Sequence, residues 1–187
     1  MSRRDFISAL SEGQRWEHAV RGLFIERGHT VLPVYDVPLR SGNGPQLLTP
    51  GRSLVAPDNL VFLRSKGPSG APIIWAEVKS KDGFAWYRKT ATWQTGIDAR
   101  HFDHYVKVEE VTRHPVWLLF VQRGNRTKDQ PLDKHQPAGV FVAKLETLRA
   151  DKRSNRHGEM VYWPIDALDL WAPLEAVERH LPSALAA

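Results

Sequence analysis

The spacing of apolar positions changes several times along the chain, and each change marks a separate element. Between Ser11 and Arg27, Trp16, Val20, Leu23 and Phe24 recur every three or four residues, the stripe of an amphipathic helix. Ser11 with Gln14 three residues on reads as its capping box, and Gly28 stands where a C-terminal cap belongs. Glu17 lies at the margin of that stripe, so its carboxylate borders whatever the helix covers. Thr30 to Val37, rich in Val, Leu and Tyr and closed by Pro38, predicts a first strand. Leu39 to Ala56 carries Arg-Ser-Gly-Asn-Gly-Pro-Gln, a density of turn formers that predicts a loop flanked by Arg40 and Arg52.

Asn59 to Arg64 and Ile73 to Lys79 then read as two strands, joined by the turn Lys66 to Ala71. That connection is too short for a parallel crossover, so the pair is antiparallel. From Arg88 to Val108 the period lengthens: Trp93, Ile97, His101, Phe102, Tyr105 and Val108 predict a long amphipathic helix. Val116 to Val121 is continuously apolar, the pattern of a central strand covered on both faces. Val140 to Ala143 adds a further strand, and the tail runs from an apolar stretch, Met160 to Trp163, into a helix from Ile165 toward His180. The order helix, strand, strand, strand, helix, strand describes an α/β (α+β) layer with a mixed central sheet flanked by helices. At 187 residues this is one domain, with a core over about 11–121 and a C-terminal extension over 122–187.

Composition narrows the function classes more than the fold. Lys and Arg number 26 against 21 Asp and Glu, a net charge of +5 that attracts polyanions. There is no cysteine, which removes disulfides, thiolate metal ligands and a cysteine nucleophile together. Any metal must sit on oxygen or imidazole. The N-terminus lacks the apolar core of a signal peptide, and no stretch approaches the ~18 apolar residues of a membrane span. A cytoplasmic protein with no membrane partner is the expectation.

The chemistry concentrates in Pro57-Asp58 and Glu77-Val78-Lys79. Period-two alternation puts Glu77 and Lys79 on one face of their strand, and the hairpin brings Asp58 alongside Glu77. Taken singly, each is an ordinary turn or surface residue. Together they end an apolar run, Ile73-Ile74-Trp75-Ala76, in two opposite charges that burial would penalise. Two acidic groups on neighbouring strands can share one hard cation such as Mg²⁺.

Asp58 followed by Glu77-x-Lys79, on a hairpin preceded by a Glu-bearing helix, resembles the PD-(D/E)XK nuclease superfamily over roughly residues 11–121. The resemblance implies a restriction-endonuclease-like α-β-β-β-α-β core and metal-dependent cleavage of nucleic acid, with Asp58 and Glu77 as principal ligands. It further implies Glu17 as an auxiliary metal or water contact, and Lys79 orienting the attacking water or neutralising charge. Members often carry a Gln on the following helix, which brings in Gln94 of Thr92-Trp-Gln-Thr-Gly-Ile97. The implied cofactor is Mg²⁺, with Mn²⁺ as substitute, and the implied partner is nucleic acid, DNA ahead of RNA. A homodimer or a larger complex is compatible with the same reading. A non-catalytic DNA-binding or assembly module of the same fold, and an RNA-processing nuclease, remain as alternatives.

Backbone phosphates are expected to meet Arg40, Arg52, Tyr87, Arg88, Lys89, Arg123, Arg126 and Lys128. His101, His104 and His114 lack the His-Glu-x-x-His spacing of a zinc protease, and His101 fits the helix's apolar side. Neither a Walker glycine loop nor a Gly-x-Ser-x-Gly elbow occurs.

Overall fold

The computed structural model describes residues 3–34, 46–64, 72–125 and 130–182, with the side chains of residues 3–10 and of Arg52 outside that description. In chain order the elements are α1 (Arg3–Glu26), β1 (Thr30–Pro33), β2 (Gln46–Thr49), β3 (Arg52–Val55), β4 (Asn59–Phe62), β5 (Ile73–Lys81), β6 (Ala85–Tyr87) and β7 (Thr92–Asp98). There follow α2 (Ala99–Thr112), β8 (Val116–Gln122), β9 (Gly139–Lys144), α3 (Leu145–Ala150), β10 (Asn155–His157) and β11 (Met160–Pro164). A 3₁₀ turn (Ile165–Ala167), β12 (Asp169–Ala172) and α4 (Leu174–Glu178) complete the chain.

Six strands form the main sheet in the order β1-β4-β5-β8-β9-β12. Only the β5–β8 pair is parallel, so the sheet is mixed, as the sequence predicts. A second sheet, β10-β11-β7-β6, lies apart from it, and β2 and β3 pair with each other. Alternation along β5 divides the interior in two. Ile74, Ala76 and Val78 join Val61, Leu119 and Val121 beneath α1, whose Trp16, Val20, Leu23 and Phe24 are buried there. Trp75 faces the other way, into a core shared with Leu118, Phe120, Tyr105 and Val108. Glu77 and Lys79 share that second face with Trp75.

Several boundaries move. Nothing in residues 3–10 breaks a helix, so α1 begins at Arg3, and Ser11 and Gln14 lie within it rather than forming a capping box. Its end is as expected: Gly28 has φ +82°, and the amides of Gly28 and His29 donate to Ile25 (2.8 Å) and Phe24 (3.0 Å). β1 stops at Pro33, short of Val37, and the predicted loop before Ala56 contains the β2–β3 hairpin.

The largest correction concerns residues 88–108. Their first half is the hairpin of β6 and β7, and the helix starts only at Ala99. The three-and-four spacing of Trp93, Ile97 and His101 coincides with alternate strand positions, while Thr92, Trp93, Thr95 and Ile97 favour extended backbone. Asp98 decides the boundary, its carboxylate accepting from the amides of Arg100 (2.8 Å) and His101 (3.3 Å) as an N-cap. The predicted C-terminal helix is likewise divided, because Pro173 lacks an amide hydrogen and disfavours helical backbone at Ala172. Residues 169–172 instead become the edge strand β12, and the helix that follows is short.

Gly96 shows how tightly the second sheet is closed. A β-carbon there would stand 2.2 Å from the carbonyl oxygen of Val161 on β11, which is backbone and cannot move aside as a side chain would. Gly96→Ala is therefore expected to destabilise the protein by about 2 kcal/mol, read from the urea midpoint; an unchanged midpoint would contradict the packing described.

Candidate active site

Asp58 and Glu77 meet where the hairpin of β4 and β5 stops pairing through its backbone. Asn59 and Ala76 are the last partners of the ladder. One step beyond, the amide of Asp58 donates to Glu77 Oε2 (3.3 Å), and the amide of Val78 donates to Asp58 Oδ2 (2.9 Å). Each carboxylate is thus anchored on the other's strand. Pro57, which has no amide hydrogen, ends conventional pairing on this side, and the carbonyl of Asp58 accepts from Val34 to tie in the end of β1 (3.0 Å).

Glu77 is 1 % exposed. Lys79 forms an ion pair with its Oε1, and Tyr105, on α2, lies close enough for the carboxylate's charge to bear on its phenol. The Lys79 side chain is 31 % exposed, so its ammonium bridges the buried acid and the solvent. Glu17 approaches from α1 at the sheet margin, close enough for its charge to bear on Glu77, Asp58 and Lys79.

This crowding of acids shows in their protonation. Burial, then Glu77 and then Glu17 push the Asp58 carboxyl well above the usual carboxylate range, against the opposing pull of Lys79 and the Val78 amide. Burial and Glu77 raise Glu17 as well, with Lys79 and Arg21 opposing. Burial alone would lower Lys79, but Glu77, Asp58 and Glu17 outweigh it and hold the ammonium charged above the ordinary lysine range. Burial, followed by the negative charges of Glu77 and Asp58, raises the Tyr105 phenol well above its normal value, so it remains a donor. Burial and then Lys79 lower His101.

The donor set fits a hard divalent cation: carboxylates of like charge lie near one another, and Asp58 Oδ1 takes no hydrogen bond from the described residues. Among the described residues no three His, Asp or Glu side chains are grouped to hold an ion, so water or substrate oxygens would fill the remaining positions.

Other sequence candidates are distributed differently. Gln94 lies on strand β7, not on a helix, and its side-chain oxygen accepts from Asn155 in the second sheet (3.2 Å). Tyr87 ends β6, and Arg88 and Lys89 occupy the exposed turn of the β6–β7 hairpin instead of a helix start. Across that hairpin Trp86 and Trp93 pack edge to face, with ring centroids 4.9 Å apart. Arg123 is engaged within the protein, bridging Glu12 of α1 (2.7 Å) and Asp82 beyond β5. Arg40, Arg126 and Lys128 lie outside the described residues, as does the Arg52 side chain.

The sequence places Tyr105 on a core stripe, where it is buried, but not beside Glu77; a hydroxyl on an otherwise apolar buried stripe is the signal that points to polar surroundings. His104, set aside with His101 and His114 as a zinc ligand, has a structural contact: its Nδ1 accepts from the amide of Val55, fixing β3 against α2 (2.9 Å).

A carboxyl raised by folding binds its proton more tightly folded than unfolded, so the metal-free protein loses stability as pH rises from the unfolded aspartate range toward neutrality. Asp58→Asn keeps the acceptor for Val78 and removes the charge. It is expected to raise the metal-free Tm at pH 7 by about 2–4 °C, the shift that ~1 kcal/mol gives a chain of this size, and to have little effect near pH 4. A fall in Tm at pH 7 would refute the charge-crowding account.

No protein-family model and no curated protein matches the chain. Among solved structures it is similar to Hjc, a Holliday junction resolvase from Archaeoglobus fulgidus, at 10 % identity over 88 % of this chain and 99 % of that one, with a TM-score of 0.48. It is also similar to D212, a nuclease from a fusselovirus, at 12 % identity over 94 % and 90 % of the two chains, with a TM-score of 0.40. The chain's own element order supplies the α-β-β-β-α-β core as α1, β1, β4, β5, α2 and β8, with the β2–β3 and β6–β7 hairpins inserted. Asp58 and Glu77-x-Lys79 stand on the central hairpin of this mixed sheet, between the helices that flank it.

Proposed function

We propose that this protein is a Mg²⁺-dependent endonuclease that hydrolyses phosphodiester bonds in DNA, with Mn²⁺ able to replace Mg²⁺. The observation that carries the reading is the mutual anchoring of Asp58 and Glu77 with Lys79 ion-paired beside them. Asp58 and Glu77 would hold the ion, with Glu17 adding negative charge at the margin. When bound, the ion supplies Lewis-acid polarisation of the phosphate and a lower pKa for a ligated water.

The protein's own groups divide the remaining work. Lys79 stays protonated because three carboxylates surround it, so it acts as a hydrogen-bond donor and a positive charge, not as a base. Partly exposed and paired with Glu77, its ammonium orients the attacking water and offsets negative charge developing on the phosphoryl oxygens. Tyr105 stays protonated beside the Glu77 charge and closes the buried side of the site from α2. Arg88 and Lys89, at the tip of the β6–β7 hairpin, extend toward the backbone of the substrate, and the net charge of +5 steers a polyanion to the molecule. The product carries a 5′-phosphate.

Cleavage of supercoiled plasmid in Mg²⁺ tests this directly. Asp58→Ala and Lys79→Ala are expected to lose at least ~100-fold in rate, EDTA to abolish cutting, and duplex DNA to be cut in preference to RNA of the same sequence. Equal cleavage by wild type and both variants would sink the assignment.

A further inference from the structure

The cation that the site does not itself explain is Lys81. Trp75, Glu77, Lys79 and Lys81 alternate onto one face of β5, so Lys81 lies about 7 Å beyond Lys79 along the strand. That spacing is of the order of the separation between neighbouring phosphates of one strand, whose path winds around the axis and so exceeds their ~3.4 Å axial rise. Lys79 is matched by Glu77, but no carboxylate among the described residues pairs with Lys81. The acid next to it in the chain, Asp82, is committed to Arg123 and Asn125.

A neutral partner is missing as well. Gln122 is the register neighbour of Lys81 on β8, and it is fully buried. Its Nε2 donates to Thr95 Oγ1 (2.9 Å), while its Oε1 has no hydrogen-bond partner. Lys81 therefore does not turn inward to satisfy it. The strand end that carries Lys81 is firmly held: its carbonyl accepts from the amide of Arg123 (3.1 Å), the carbonyl of Asp82 accepts from Asn125 (2.8 Å), and Arg123 ties this turn to α1 through Glu12. A half-buried ammonium on a rigid base, beside a second cation and without an anion, is unfavourable until an anion arrives. Burial and the neighbouring Lys79 accordingly lower its pKa.

We propose that Lys81 binds a substrate phosphate flanking the scissile one, so that Lys79 serves the reacting group and Lys81 sets the register of the strand being cut. This rests on the nuclease reading of the same site. Lys81 is not placed in the chemistry; its contribution is binding and alignment, which distinguishes it from Lys79 in a kinetic experiment.

The test uses the full chain with Lys81→Ala, Lys81→Met and Lys81→Arg, and a fluorescein-labelled DNA duplex. Binding is followed by anisotropy in EDTA across a salt series, and cleavage by initial rates in Mg²⁺. Removing one phosphate contact is expected to make the slope of log K against log salt shallower by about 0.9. KM should rise about tenfold in Lys81→Ala and Lys81→Met while kcat falls less than about threefold, and Lys81→Arg should restore both slope and KM. Lys81→Met keeps the apolar stem, so the question remains answerable if the alanine variant folds poorly. Folded variants with wild-type slope and KM, or a loss confined to Tm, would overturn the proposal. If wild type binds DNA but does not cut it, the nuclease reading fails while the salt slope still reports on Lys81.

Discussion

Two carboxylates that would repel one another are held side by side because each accepts a backbone amide from the strand that carries the other. The amide of Asp58 donates to Glu77, and the amide of Val78, next to Glu77, donates to Asp58. This exchange replaces the ladder of β4 and β5 just where it ends, so the fold that orders the hairpin also concentrates negative charge at its mouth. The rest of the molecule serves that arrangement. α1 seals one face of β5, α2 brings Tyr105 to the other, and β8 continues the sheet in parallel beyond it.

The charge balance at this point is deliberately incomplete within the protein. Lys79 faces three carboxylates, those of Glu77, Asp58 and Glu17, so acid exceeds base there. A few residues further along the same strand the sign reverses, and among the described residues no acid pairs with Lys81. In the function proposed, phosphate would meet the lysines and metal the carboxylates. Arg123 shows the contrasting case of a cation already spent inside the fold, stapling α1 to the turn after β5.

Much of this was legible before any tertiary contact was known. Alternation fixes Glu77 and Lys79 on one face of β5, and the short connection makes β4 and β5 antiparallel, which brings Asp58 to Glu77. That β8 is a central strand covered on both faces was legible from its unbroken apolar run; its parallel pairing with β5 was not. The largest misreading has a definite physical cause. Over residues 88–98 the side-chain spacing satisfied a helix and a strand alike, and the choice fell to the N-cap of Asp98 and to the β11 backbone pressed against Gly96. Neither is a property of local apolar period.

The sequence by itself determined that Glu77 and Lys79 share one face of a strand and that Asp58 comes alongside them, because side-chain alternation and hairpin length are local rules. Only the tertiary structure decided what surrounds them. It brought Tyr105 from α2 near the Glu77 charge, set Gln94 on a strand bonded to Asn155, occupied Arg123 with Glu12 and Asp82, and left Lys81 without an anion among the described residues. Those pairings join residues far apart in the chain, and burial, not spacing, sets their strength.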